Sequence, residues 1–158
     1  MPSFQMLIGL PGSGKSRWVQ VQDNHHAWVL STDRFIERYA GLNAMTYNEA
    51  FQSTIKDAEK QLLFNLEIAI KNQQPIIWDQ TNLNPKTRAK KLAKIPSLYH
   101  KEAIIFLTPE SILDIINEER KAVGRSIPQK IFSSMKVNFD VENIENEGFD
   151  KITYIERK

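Results

Sequence analysis

The sequence has no cysteine and no long apolar run. Without cysteine the chain forms neither a disulfide bond nor a thiolate metal site. No stretch approaches the roughly 18 apolar residues that span a bilayer, and no basic segment leads into an apolar one as in a secretory signal. We therefore expect a cytoplasmic protein that does not contact a membrane.

The chain also lacks a large excess of either charge. It has 21 Lys and Arg residues and 19 Asp and Glu residues, and its formal net charge is only +2. So small an excess does not by itself indicate a polyanionic partner. The 41% of apolar residues and 25% of charged residues are typical of globular proteins. A length of 158 residues predicts one domain over residues 1–158.

Five short runs rich in Ile, Val, Leu and Phe predict buried strands. They cover residues 4–8, 27–31, 75–79, 102–107 and 152–156. Helical patterns lie between them, and parallel strands need such crossover connections. The sequence therefore predicts an α/β fold with a five-stranded parallel sheet flanked by helices on both faces.

The longest helical pattern runs from Thr46 to Asn72 and begins with a capping-box pattern of Thr46 and Glu49. A second helix is expected to begin with Thr108 as its N-cap and proline in its first turn. Further helices are expected at Pro85 and after Pro128. The acidic segment 140–150 is rich in turn-forming residues, which predicts a solvated loop before the last strand.

Three of the six glycines lie between residues 9 and 14. The segment GLPGSGKS, residues 9–16, follows a predicted strand and fits the phosphate-binding P-loop pattern G-x-x-x-x-G-K-[ST]. Glycines let backbone N–H groups turn toward phosphate oxygens, the lysine neutralises phosphate charge, and the serine hydroxyl binds Mg²⁺. The predicted ligand is a nucleoside triphosphate such as ATP, together with Mg²⁺. The candidate nucleotide contacts are Gly12, Ser13, Gly14, Lys15, Ser16 and Arg17.

Asp33 follows the second predicted strand, in the segment WVLSTDRF. Ligands of open α/β sheets bind at the carboxyl ends of the strands, so a carboxylate placed there is a candidate general base. Phosphoryl transfer needs little more from a protein than positioning and charge neutralisation. The spacing fits equally well a second interpretation, in which Asp33 is the N-cap of the next helix.

Asp79 ends the third predicted strand, in the segment IIWDQTNLNP. A carboxylate at this position typically holds Mg²⁺ or a metal-bound water. The next residue is Gln80, where ATPases that drive motion usually carry a second carboxylate, and this favours a transferase. Thr81 and Asn82 are candidate substrate contacts, although a polar turn before Pro85 explains them nearly as well.

Two cationic segments follow. The predicted helix PKTRAKKLAK has its apolar residues at Ala89, Leu92 and Ala93, which predicts an exposed basic stripe that includes Arg88. Such a stripe suits a nucleic acid backbone, but it is also common on a merely solvated helix. Residues 120–128, which we call the lid segment, contain Arg120 and Arg125, and a mobile cationic segment can close over a triphosphate.

Taken together, five stretches resemble the kinase domain of the bacteriophage polynucleotide kinase family. They are GLPGSGKS, STDRF, DQTNLNPKTR, ERKAVGRSIP and EGFD. The resemblance covers nearly the whole chain, and TNLNP is its most specific part. It implies an adenylate-kinase-like P-loop fold that transfers the γ-phosphoryl group of ATP to the 5′-hydroxyl of DNA or RNA.

The resemblance also implies roles for individual residues. Lys15 and Ser16 match the P-loop pair, Asp33 matches the general base, and Arg125 most nearly matches the lid arginine, with Arg120 as the alternative. The family's substrate-phosphate arginine has no match, because Ile36 occupies its position.

Arg34 and Arg38 are the candidate replacements for that missing arginine, unless the acceptor itself differs. The acceptors left open are a hydroxymethylated pyrimidine in phage DNA and the hydroxyl of a small molecule. A regulator that binds ATP and transfers nothing is the alternative of another class.

Overall fold

A computed structural model of the chain describes residues 1–22 and 26–157. Its strands are β1 (Ser3–Ile8), β2 (Trp28–Leu30), β3 (Ile76–Asp79), β4 (His100–Leu107) and β5 (Lys151–Glu156). All five pair in parallel, in the order β2-β3-β1-β4-β5. The predicted five-stranded parallel sheet is therefore confirmed, and it belongs to a P-loop kinase-like α/β fold.

Helices cover both faces of this sheet. They are α1 (Lys15–Val21), α2 (Thr32–Leu42), α3 (Tyr47–Lys71), α4 (Pro85–Leu92), α5 (Glu110–Glu119) and α6 (Gln129–Asn138), with 3-10 turns at Arg120–Val123 and Ile144–Asn146. On one face Leu62 and Leu66 of α3 pack against Met6 and Trp78. On the other face Val19 of α1 packs against residues that include Phe106. Within the described residues no helix is both long and apolar enough to cross a membrane.

Three predicted helix starts agree with the structure, since α6 also begins directly after Pro128, and one differs. The Thr46 hydroxyl accepts a hydrogen bond from the Glu49 amide at 3.2 Å, and the Glu49 carboxylate accepts one from the Thr46 amide at 2.9 Å, so the capping box is confirmed. Pro85 is the first residue of α4, as predicted. The prediction of Thr108 as an N-cap is wrong, because Pro109 takes that position and the Thr108 hydroxyl donates to the Ser13 carbonyl at 3.4 Å.

Helix α4 turns a different face to the core from the one predicted. Ala89 and Ala93 are exposed, whereas Arg88 is fully buried. Its guanidinium forms a 2.7 Å ion pair with Glu147, in the segment predicted to be a solvated loop. That prediction is also wrong for Ile144, which is 1% exposed in the main core cluster. Leu92 does pack against the core as predicted, whereas a buried arginine and its partner take the place expected for Ala89 and Ala93.

Candidate active site

The carboxyl ends of β1, β2 and β3 meet at one edge of the sheet and open into a cavity of about 700 Å³. The chain crosses from β3 over β1 to β4, so the cavity lies where the strand order reverses, the usual place for a ligand in such folds. The polar or charged residues at its wall include Lys15, Ser16, Arg17, Asp33, Tyr47, Asn48, Gln52, Asp79, Gln80, Thr81, Arg120 and Arg125. The structure therefore brings together most of the predicted site residues.

The P-loop connects β1 to α1 and forms the floor of the cavity. Gly12 and Gly14 have φ values of +88° and +100°, which favour glycine. A side chain at Gly14 would meet nothing within 4 Å, so the backbone itself lines the cavity. Helix α1 begins at Lys15, and its first N–H groups have no intrahelical partner. These groups suit the oxygens of a polyphosphate.

Lys15 is buried in this floor. Its Nζ donates to the carbonyls of Gly9 at 2.7 Å and Leu10 at 3.0 Å. Burial lowers the pKa of Lys15 to about 8, although the charges of Asp79 and Asp33 oppose that shift. Burial likewise raises the pKa of Asp79, and Lys15 opposes it. Because burial disfavours the charged forms of both Lys15 and Asp79, a phosphate would stabilise the ammonium and a metal ion would stabilise the carboxylate.

Asp79 and Ser16 have the chemistry that Mg²⁺ requires. A carboxylate and a hydroxyl are hard oxygen ligands, and both line the cavity. No cluster of three or more His, Asp or Glu residues that could hold a metal occurs within residues 1–22 and 26–157. This fits Mg²⁺, which usually takes one or two carboxylates and completes its shell with phosphate and water. The two residues would hold the ion, and its charge would polarise the phosphate.

Asp33 lies in the first turn of α2, and its side chain is about half exposed (49%) at the cavity. Its alternative interpretation as the N-cap of α2 is wrong, because Ser31 has that role and accepts a hydrogen bond from the Arg34 amide. The Asp33 carboxylate is therefore not used as a cap, and it lines the cavity. A carboxylate has about four lone-pair sites, so it can accept hydrogen bonds from several donors at once.

Two donors approach Asp33. The Tyr47 hydroxyl, from the first turn of α3, donates a short hydrogen bond to Oδ1. Arg125 Nη2 lies 3.6 Å from Oδ2. Burial, and next the charge of Asp33, raise the pKa of Tyr47, so that the phenol remains a donor. The sequence analysis missed Tyr47, since nothing local to residue 47 shows that it meets Asp33.

The lid segment places its two arginines differently. Gly124 has a φ of +66° and ends the 3-10 turn, with the Arg125 amide donating to the Arg120 carbonyl at 3.0 Å. Arg125 also forms an ion pair with Glu37 and lies over the Tyr47 ring, 4.6 Å from its centroid. Arg120 lines the cavity, and among the described residues no hydrogen bond or ion pair involves its side chain.

Three predicted contacts are not in the cavity. Ser13 is buried, its amide donates to the Leu10 carbonyl at 3.1 Å, and its hydroxyl has no partner among the described residues. Arg34 and Arg38 are exposed and do not line the cavity, although the charge of Arg34 acts to lower the pKa of Asp79. Their role as replacements for the arginine expected at position 36 stays a prediction. Ile36 is itself fully buried between α2 and α3.

Two further substrate contacts are wrong for a common reason. Asn82 is 2% exposed, and its amide donates to the Leu7 carbonyl at 2.7 Å. The Arg88 guanidinium is fully enclosed by Glu147 and the carbonyls of Asn82 and Asp140, at 2.6 to 2.9 Å. Both side chains donate to backbone carbonyls inside the fold, such as those of Leu7 in β1 and Asn82 after β3. Thr81 does line the cavity, and its carbonyl accepts from the Gly9 amide at 3.0 Å.

A parallel sheet with a P-loop after its first strand and a buried lysine and carboxylate at its edge defines a P-loop nucleotide-binding protein. Residues 5–141 match the family model described as AAA domain. The chain belongs to this family, which is a family of P-loop kinases.

Curated relatives are larger than this chain. Heterogeneous nuclear ribonucleoprotein U-like protein 2 from Mus musculus is 25% identical over 156 residues, which cover 94% of this chain and 21% of that protein. The protein of the same name from Homo sapiens is 24% identical over the same shares. The chain thus spans about a fifth of the length of the curated relatives it matches.

Several solved structures share the fold. A candidate kinase from Chloroflexus aurantiacus has a TM-score of 0.70 at 15% identity, over 98% of this chain and 88% of that one. A chain of the PezAT toxin–antitoxin system of Streptococcus pneumoniae has a TM-score of 0.68 at 18% identity, over 99% and 69%. A chain of the Pnkp1/Rnl/Hen1 complex has a TM-score of 0.52 at 20% identity, over 72% and 38%.

Proposed function

We propose that this chain is an ATP- and Mg²⁺-dependent kinase that phosphorylates the 5′-hydroxyl of DNA or RNA. The 5′ oxygen forms a bond to the γ-phosphorus, the bond from that phosphorus to the ADP oxygen breaks, and Asp33 accepts the hydroxyl proton. Lys15 neutralises phosphate charge during this transfer, and Asp79 and Ser16 hold the metal ion.

One observation supports this proposal more than any other. Asp33, half exposed at the wall, and Lys15, buried in the floor, line the same cavity. Transfer of a phosphoryl group to an alcohol requires a base for the alcohol and a cation that binds the phosphate, and both line this cavity. The family and fold point to phosphotransferases in general, and this pair supports an alcohol as the acceptor.

The choice of a nucleic acid rests on three supports. The motifs STDRF and TNLNP resemble the polynucleotide kinase family, the lid segment adds cations at the cavity, and the curated relatives are ribonucleoproteins by name. Helix α4 also exposes Lys86 and Lys90, and Lys94 is exposed just after the helix. A phosphodiester backbone is the ligand that such cations attract.

A second candidate acceptor is a small-molecule hydroxyl. With Arg88 buried and Lys91 largely enclosed by Gln80, Asn82 and the Trp78 ring, α4 presents fewer cations than its sequence suggested. A bounded cavity of about 700 Å³ also has the size of a small-molecule site. The same experiment separates the two acceptors.

The test is a labelling screen with ATP that carries a radioactive γ-phosphate. The acceptors are single-stranded DNA and RNA with a 5′-hydroxyl, the same oligonucleotides with a 5′-phosphate, hydroxymethylated duplex DNA, and a panel of sugars and nucleotide sugars. We expect label on the 5′-hydroxyl oligonucleotides and none on their 5′-phosphate controls. Asp33→Asn should reduce transfer by about 10²-fold or more, whereas Asp57→Asn on the exposed side of α3 should match wild type.

Each other outcome rejects the proposal in a different way. Label on hydroxymethylated duplex or on a small molecule shows a kinase with another acceptor. Binding of ATP with no labelled acceptor, and no difference between Asp33→Asn and wild type, identifies a regulator that transfers nothing.

A further inference from the structure

The two arginines of the lid segment line the same cavity but differ in their contacts. Arg125 contacts Asp33 and Glu37 of α2 and Tyr47 of α3, and we call these four residues the acceptor-side cluster. Among the described residues no hydrogen bond or ion pair involves the Arg120 side chain, which also lines the cavity. One short segment thus supplies one engaged and one unengaged arginine to the cavity.

Helix α3 holds the lid segment in this place. The Asn48 amide donates to the Gly124 carbonyl at 3.0 Å, and the Asn48 side chain donates to the Ser126 carbonyl at 3.0 Å. Gly124 lies so close to Thr46 that an added Cβ would be 2.6 Å from the Thr46 Cβ. Residues on both sides of Arg125 are therefore fixed against the first turn of α3, and the guanidinium is fixed with them.

Asp33 is the residue that this arrangement orients. Tyr47 donates to one carboxylate oxygen and Arg125 approaches the other, at 3.6 Å. Glu37 in turn binds Arg125, which fixes its guanidinium from the opposite side. Arg125 is engaged by two carboxylates, whereas no hydrogen bond or ion pair with another described residue holds the Arg120 side chain, so Arg120 is the better placed of the two to bind a triphosphate.

We propose that Tyr47 and Arg125 are positioning residues for the general base Asp33, so that docking of the lid segment completes the acceptor side of the site, while Arg120 serves the triphosphate. This inference rests on the proposed function, because it assumes that Asp33 receives the acceptor proton. It assigns Arg125 to the acceptor and Arg120 to the triphosphate.

The test compares binding of ATP with turnover of the acceptor. Tyr47→Phe keeps the ring under Arg125 and removes only the hydroxyl, and Arg125→Lys keeps the charge without the planar fork. We expect both variants to bind ATP within about twofold of wild type but to lose about tenfold or more in kcat with a saturating labelled acceptor. Arg120→Ala should show the reverse, a Kd for ATP raised about tenfold with kcat less affected.

Two control variants match the test variants. Tyr39→Phe removes a hydroxyl from an exposed tyrosine on α2. Lys121→Ala removes an exposed cation of the lid segment that forms an ion pair with Glu118 on the surface. Both should equal wild type in Kd and kcat. Comparing kcat for the acceptor with Kd for ATP distinguishes a loss of positioning from a loss of folding, because a misfolded variant loses ATP binding as well.

The outcomes distinguish this inference from the proposed function. If wild type labels an acceptor and Tyr47→Phe and Arg125→Lys match it in kcat, the inference alone is overturned. If Arg125→Lys weakens ATP binding and Arg120→Ala does not, the assignment of the two arginines is overturned. If wild type labels no acceptor, the proposed function and the inference both fail.

Discussion

Burial of Lys15 in the floor of the cavity has a measurable consequence. Its pKa is lowered to about 8, so between pH 8 and 9 a part of the chains holds it neutral. A bound triphosphate places negative charge beside it and raises its pKa again. We therefore predict that ATP binding takes up a fraction of a proton at pH 8 to 9, and less at pH 7, where Lys15 is already protonated. Calorimetry in buffers of different ionisation enthalpy measures this uptake.

Lys15→Met should abolish the uptake together with most of the affinity. The same shift makes folding depend on pH. The folded-state pKa lies below its ordinary value of 10.5, so between those values the unfolded chain binds more protons and the contribution of Lys15 to stability rises with pH. Uptake that is unchanged in Lys15→Met would assign the proton to another group.

Arg88 contributes to stability rather than to binding. Its side chain is fully buried, and its partner Glu147 is only 14% exposed. We predict that Arg88→Met lowers the free energy of unfolding by about 3 kcal/mol or more, because it leaves Glu147 and two carbonyls without donors. Urea unfolding measures the loss, and ATP affinity measured at low temperature should stay close to that of wild type.

The matched control for Arg88→Met is Lys90→Met, which changes an exposed cation on the same helix and should alter the free energy of unfolding by less than about 0.5 kcal/mol. Equal effects of the two substitutions would contradict the structural role of Arg88. If Arg88→Met keeps its free energy of unfolding but binds substrate more weakly, Arg88 is a substrate contact.

At the residue scale, the sequence predicted what depends on local pattern and missed what depends on the fold. Lys15 and Asp79 lie where a motif and a strand end placed them. Arg88 looked like a surface cation because its partner Glu147 is 59 residues away. Tyr47 had no signal at all, since its role appears only when α2 and α3 come together.

At the scale of elements, strands and helix starts were predictable because they follow from apolar periodicity and capping chemistry. The capping box of Thr46 and Glu49 specifies the start of α3 locally. Thr108 shows the limit of such rules, because its hydroxyl binds the Ser13 carbonyl instead of capping a helix. The buried face of α4 was mispredicted, since a long arginine stem fills the core where smaller residues face solvent.

The lid segment yields a prediction about Gly124. Its positive φ and the 2.6 Å approach to Thr46 exclude a side chain unless the segment moves. We predict that Gly124→Ala releases residues 120–128 from α3, which increases hydrogen exchange of their amides and lowers acceptor turnover about tenfold or more. The binding of ATP should change less than turnover, because the P-loop is not disturbed.

The control for this substitution is Gly41→Ala, which places a methyl group in open space on α2. It should leave exchange in the lid segment unchanged and stabilise the helix by up to about 1 kcal/mol. Wild-type exchange over residues 120–128 in Gly124→Ala would show that Gly124 does not hold the segment in place.

At the scale of the whole molecule, the alternation of strands and helices predicted a parallel sheet, and the P-loop identified its active edge. The order β2-β3-β1-β4-β5 places Asp33, Asp79 and the P-loop at the carboxyl ends of neighbouring strands. The sequence alone could not show that the lid segment docks on α3, because that contact joins residues 46–48 to residues 124–126.

Binding at this edge should stabilise the entire fold, because it ties β1, β3 and α1 together. At a hundred times its Kd, ATP with Mg²⁺ is expected to add about 2.7 kcal/mol to the free energy of unfolding. Urea titration with and without ligand measures this gain. Lys15→Met should lose most of it, and Lys56→Met on the exposed side of α3 should keep it. An equal gain in both variants would place the nucleotide elsewhere.

The hydrogen bonds between the P-loop and the turn after β3 have a consequence for redesign. The Gly9 amide binds the Thr81 carbonyl, and the Asn82 side chain binds the Leu7 carbonyl. These hydrogen bonds hold the P-loop and the turn after β3 together as one unit. The opposite wall is formed by separate backbone segments, namely the start of α3 and the lid segment. Under the proposed function, a variant designed for a different acceptor should therefore exchange the beginning of α3 together with residues 124–128 as one unit and leave the P-loop and the turn after β3 unchanged.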